Sequence, residues 1–191
     1  MKLINKELEK RVNAILFFKA KVKYPFALKI FKLLFFLDFS HFKKYGRTVT
    51  DLEYFTFKKG PVPKIFWEQI KNDDLPDEIK KSMEIVVVKD ALTEDYIFTQ
   101  FIAKKKYNLD AFSESEIEIL NDLATIYKEA KAEDMSEVTH LKNSPWEKTL
   151  KTKGIYMKID FLLAIDSEAE VDEEEAIQMM EEIGEIKRTF S

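Results

Sequence analysis

The sequence predicts an α+β fold: a mainly helical single domain with a small antiparallel sheet of about three strands. Three observations lead there. Apolar residues recur at helical spacing through most of the 191 residues. Aromatic and β-branched segments of strand length interrupt that pattern at Tyr54–Lys59, 84–90 and 95–103. A composition of 46% hydrophobic and 35% charged residues suits one well-packed domain, and sixteen Phe beside four Gly favour a core of aromatic rings.

In chain order, Leu8, Val12, Ile15 and Leu16 place an amphipathic helix over about Leu3–Lys23, ended by Tyr24-Pro25. The next helix runs from about Phe26 to Lys44. Ile30, Leu33, Leu34, Leu37 and His41 form one stripe on it, and Phe31, Phe35, Phe39 and Phe42 another, so it belongs inside a bundle. Gly46 ends it, with Lys43, Lys44 and Arg47 at its negative dipole end. After the aromatic strand at Tyr54, Gly60-Pro61-Val62-Pro63 is expected to turn the chain, and Pro63 to start a helix through Lys71. Asn72–Asp77 is expected to be a polar loop, and Leu92-Thr93-Glu94 to join strands 84–90 and 95–103. Ser113 and Glu116 form a capping box before Ile117, Leu120 and Leu123. A short helix is expected over Ser136–Lys142, and Ser144-Pro145-Trp146-Glu147 opens another. The last segment, about Glu168–Arg188, is acidic and helical, with Ala176, Met179, Met180 and Ile183 as its apolar stripe.

The chain has no cysteine, which excludes disulfides, thiolate metal sites and thiol nucleophiles and fits a reducing cytoplasm. The N-terminus lacks the apolar core of a signal peptide. The longest apolar region, Phe26–Phe42, is interrupted by Lys29, Lys32, Asp38 and His41, which reads as a buried helix and not a membrane span. Net charge is −4, unevenly spread: +10 over residues 1–71, −6 over 72–165 and −8 over 166–191. A basic front and an acidic tail can attract each other or address two partners.

Candidates for chemistry are few, because His41 and His140 are the only histidines. Asp38 and His41, three apart, share a helix face where their side chains can meet. Such a pair begins an acid–base site, and it is equally what a buried imidazole needs to satisfy its nitrogens. A hydrolase or nuclease using Asp38, His41 and His140 is one open alternative. It requires both imidazoles to converge in an accessible cleft. No HxxxH, HxH or HExxH spacing supports a metal, and no GxSxG elbow, Walker loop or GxGxxG is present. No cofactor is expected. A nucleic-acid-binding regulator is the other alternative, motivated by the basic first third with Tyr24, Tyr45, Tyr54 and Phe57.

Four fragments, in order, resemble one family. LLFFLDFSHFKKYGRTVT (33–50) is similar to the helix-and-exit signature LLYFADxxHxxxYGRPIT, with Thr48 where the signature has proline. YFTFKKGPVPKIFW, FSESEIEIL and SEVTHLKNSPWEK are similar to the elements that follow it. On these residues the chain is identified as resembling the Panacea domain, the SocA-like antitoxin family of bacteria and their phages. The resemblance implies a small helical domain over residues 1–151, with 152–191 as an acidic, helical extension packed on or beside it. It also implies an antitoxin that binds and neutralises a co-encoded protein toxin, with a protease as a further partner where the antitoxin acts as an adaptor. Nucleic acid would be reached only through the toxin. The signature falls on Asp38, His41, Tyr45, Gly46, Arg47, Gly60, Pro61, Pro63, His140 and Trp146, which the resemblance makes the partner-facing or family-defining positions.

Overall fold

The computed structural model describes residues 3–89 and 96–190. Helices α1 (Leu3–Lys21) and α2 (Ala27–Tyr45) form its spine. Between them Tyr24 takes a left-handed backbone with φ 54°, and Pro25 follows, which prevents one continuous helix. Both predicted stripes of α2 are buried, Ile30, Leu33, Leu34 and Leu37 on one side and Phe31, Phe35, Phe39 and Phe42 on the other. The aromatic core forms around them. Phe35 packs on Phe39 and, edge to face, on Tyr54, while Phe39 meets Phe161 at 4.4 Å between ring centres.

Two lysines also lie fully buried on α2, and each is held by backbone carbonyls. Lys29 Nζ donates to Lys23 O at 2.7 Å and Ala130 O at 2.6 Å. It thereby ties the α1–α2 connection to the loop after α5 (Glu114–Ile126). Lys32 Nζ donates to Lys59 O at 2.5 Å. A buried ammonium is tolerable only with such partners, and burial still pushes the Lys32 pKa down to about 8.

Strands β1 (Phe55–Phe57) and β2 (Gly60–Val62) pair antiparallel, with Thr56 opposite Pro61. The turn is therefore Lys58-Lys59, and the expected Gly60–Pro63 turn is instead a buried strand. The reason lies in the hydrogen bonding of Thr56. Its N–H donates to Met157 O and its carbonyl accepts from Tyr156 N, both away from β2. Pro61 thus sits opposite a residue that asks nothing of its missing N–H. The segment after α7 (Pro145–Lys153) completes this edge, since Ile159 N also donates to Tyr54 O.

Strands β3 (Met83–Lys89) and β4 (Tyr96–Ala103) form a second antiparallel pair, in register from Met83↔Ala103 to Val88↔Phe98. The expected connection at Leu92-Thr93-Glu94 lies outside the described residues. Among the described residues the strands thus make two separate two-stranded sheets where one sheet of about three was expected. Helices α3 (Lys64–Lys71) and α4 (Asp77–Ser82) lie between the hairpins in sequence. Helix α4 occupies the end of the expected polar loop. Its single large apolar residue, the fully buried Ile79, is too little to show a period. Helix α5 carries the predicted capping box at Ser113 and Glu116. Helix α6 (Ala132–Thr139) starts four residues before the expected Ser136, because the Asp134 carboxylate accepts from Lys131 N. Helix α7 is capped by Ser144, whose Oγ accepts from Glu147 N. Helix α8 (Glu173–Phe190) is the last element, and eight α-helices in all are found among the described residues.

The depressed Lys32 pKa makes stability depend on pH. Unfolded, this lysine keeps its ordinary value near 10.5. Between about pH 8 and pH 10 the unfolded chain therefore holds the extra proton, and stability rises with pH. Relative to Lys32→Met, wild type should gain about 2–3 kcal/mol of unfolding free energy from about pH 7.5 to pH 10. Urea titrations of both proteins across that range read the difference, in which the contribution of Lys29 cancels.

Candidate functional site

The exit from α2 is fixed by two side chains of the helix itself. The Asp38 carboxylate, fully buried, accepts four hydrogen bonds: from Val49 N and Thr50 N on Oδ1, and from the Thr50 hydroxyl and Tyr54 hydroxyl on Oδ2. Burial raises its pKa and all four donors oppose that rise. His41 Nδ1 donates to Arg47 O at 2.7 Å, which fixes the proton on that nitrogen. Burial lowers the His41 pKa and favours the neutral ring. The expected meeting of Asp38 with His41 therefore does not define the pair; each residue latches a different part of the chain at 47–50. Their neighbour Gly46 takes φ 62° and its N–H caps Phe42 O, closing the helix in a left-handed turn.

His140 lies elsewhere. Its ring stacks on Trp146 at 3.8 Å with the planes 17° apart. A Cβ added at Gly60 would lie 3.8 Å from His140 Nε2, 2.9 Å from Thr139 Oγ1 and 2.3 Å from Lys32 Nζ. Glycine is thus required at position 60 by space as well as by its φ of 110°. His140 thus lies beside the end of the Lys32 side chain, whereas His41 sits at the opposite, C-terminal part of α2. Asp38, His41 and His140 do not gather at one cleft, and no metal-binding cluster exists among the described residues. His140 Nε2 and Trp146 Nε1 are buried without a partner among the described residues.

A groove of about 990 Å³ opens at the α2 exit. Tyr45, Gly46 and Arg47 form one rim, and Leu52 and Phe161 lie along it. Helix α8 forms the facing wall through Met180, Ile183 and Ile186. The acidic tail thus folds back onto the basic end of α2. Lys43 pairs with Asp166 at 2.8 Å and Glu168 at 3.3 Å, and Glu170 N donates to Lys43 O. Lys187 closes the far end on Glu7 at 3.1 Å and Asp51 at 2.6 Å. Ala176, buried, lies over Gly46, where an added Cβ would come within 2.6 Å of Met179 Sδ.

The signature residues divide accordingly. Tyr45 and Arg47 face the groove, with Arg47 exposed. Asp38, His41 and Gly46 brace that rim from below. Gly60, Pro61 and Pro63 are buried in and after the β1–β2 hairpin, so they form no exposed lip, and Trp146 backs His140. Sequence reasoning missed Lys29, Lys32, Thr50 and Tyr54 as working parts. The lysines were visible only as breaks in an apolar run, a pattern that equally marks a solvated face.

The comparison with known families matches the antitoxin SocA-like Panacea domain over residues 30–147. The chain belongs to that family. Its Panacea domain runs from within α2 to the start of α7, includes every signature residue named above, and leaves α8 outside. Membership carries an antitoxin role in general terms. No curated protein and no solved structure matches the chain. No described helix is long and apolar enough to cross a membrane.

Two substitutions test the brace. Asp38→Ala leaves two N–H groups and two hydroxyls unsatisfied and should cost about 3–5 kcal/mol in urea unfolding, against about 1–2 kcal/mol for Tyr54→Phe. Gly46→Ala should cost about 1–2 kcal/mol from its left-handed backbone alone. Adding Met179→Ala should recover only the further loss that comes from crowding.

Proposed function

We propose that this Panacea-domain protein is the antitoxin of a two-gene module, capturing and neutralising a protein toxin encoded beside it without turning over a substrate. The observation that carries this reading is how the signature residues are spent. Asp38 and His41, the pair that could have begun an active site, are consumed in holding the chain at residues 47–50. Their product is a stiff rim beside an open groove, a geometry suited to binding a partner with little rearrangement. Delivery of the captured toxin to a protease is a compatible second step, and a cytoplasmic setting fits the cysteine-free chain. Residues 1–151 would form the neutralising platform and 152–191 an extension that adjusts it for its partner.

The test is co-expression with the protein encoded by the adjacent reading frame. The expected outcome is growth arrest by the neighbour alone, rescue by this protein, and a complex that co-elutes on size exclusion. A neighbour that is harmless, or that never associates, would sink the proposal.

A further inference from the structure

The groove carries more information than its shape. Helix α8 stands over it without filling it: Ala176 is buried, but Met180 and Ile186, which line the groove, remain 40% and 45% exposed. The charges along the groove are unevenly satisfied. Its acids are all engaged: Glu116 by Lys10, Glu53 by Lys158, Glu7 and Asp51 by Lys187, and Asp160 by capping Leu162 N. Three cations that line it, Lys6, Arg47 and Lys153, have no acidic partner among the described residues, and all three are exposed. An apolar strip flanked by unspent positive charge is complementary to one kind of occupant.

We infer that the groove between the α2 exit and α8 receives an amphipathic, carboxylate-bearing segment of the toxin, with α8 as the second jaw. This rests on the antitoxin reading and names the partner's chemistry. The segment's apolar side chains lie between Tyr45 and Ile183, and its carboxylates meet Arg47 and Lys153. Arg47 is the better placed anchor. Its backbone is held by the His41 bond to its carbonyl and by the Gly46 turn before it, so little ordering is left to be done on binding. Its planar fork can take a carboxylate in two parallel hydrogen bonds. The segment before α8 is tied to Lys43 through Asp166, and α8 itself is tied near its C-terminal end through Lys187, with a narrow apolar stripe between, which leaves the jaw free to adjust to what enters.

The experiment uses the full chain and the protein encoded by the adjacent reading frame as probe, with affinity measured by calorimetry. Arg47→Glu with Lys153→Glu should weaken binding at least tenfold and flatten its salt dependence, with thermal unfolding unchanged, because both side chains are exposed. Met180→Asp on α8 should weaken binding independently. If wild type binds the probe and both variants bind it within twofold, the groove assignment fails while the antitoxin reading stands. If wild type does not bind the probe, the antitoxin reading fails and takes the assignment with it. If the chain alone forms a dimer that the double variant abolishes, the occupant is a second copy of this chain and the toxin assignment is overturned. Duplex binding by wild type that the double variant loses would overturn it in the same way.

Discussion

A carboxylate with no exposed surface must be satisfied from within the protein, and Asp38 draws its partners from chain 11 to 16 residues downstream. Two peptide N–H groups and two hydroxyls converge on it, so the path of residues 49–54 is determined by one side chain of α2. The rim of the groove at the α2 exit follows from that constraint. Arg47 stands where it does because Val49 and Thr50 are pinned on one side of it and Gly46 turns the chain on the other. A buried hydrogen-bonded charge is a weak source of net stability but a strong source of geometry, since alternative paths would strand its donors.

The same logic repeats along α2. Lys29 holds the entry from α1 and the loop after α5, Lys32 holds the β1–β2 turn, and His41 holds the carbonyl of Arg47. A helix surrounded by phenylalanine would ordinarily specify its neighbours only by shape, which tolerates repacking. Polar groups set into that helix impose discrete partners. The hydrophobic cluster supplies the driving force for burial, and these four side chains select which loop lies where. The hairpin shows the outcome most directly. Gly60 lacks a Cβ in a space shared with the Lys32 ammonium, and Pro61 lies opposite a threonine whose backbone is already engaged elsewhere.

The charge asymmetry of the chain is resolved by folding as well. The acidic tail returns to Lys43 and Lys44, which also sit at the favourable, negative end of the α2 dipole. Exposed pairs of this kind contribute little stability each. They tie the segment leading into α8 to the rim that the Panacea domain builds, and Lys6, Arg47 and Lys153 along the groove have no acidic partner among the described residues. The matched domain and α8 thereby line one groove between them.

Much was legible in the sequence because the signals were local. The two stripes of α2, the Ser113 and Ser144 caps and the Gly46 stop all depend on residues within a turn or two of each other, where period and capping chemistry act directly. Local rules failed where a distant partner decided the outcome. Gly60-Pro61 looks like a turn until Thr56 is seen bonding to Tyr156 and Met157, a hundred residues away along the chain. Asp38 and His41 look like a pair until the segment 47–54 arrives to take both. Spacing brings side chains to the same face, but only tertiary packing determines which donors reach a buried acceptor first. The sequence therefore determined most of the helices and the family. The fold alone decided that Lys29, Lys32, Asp38 and His41 are latches, and that the exit of α2 and α8 line an open groove.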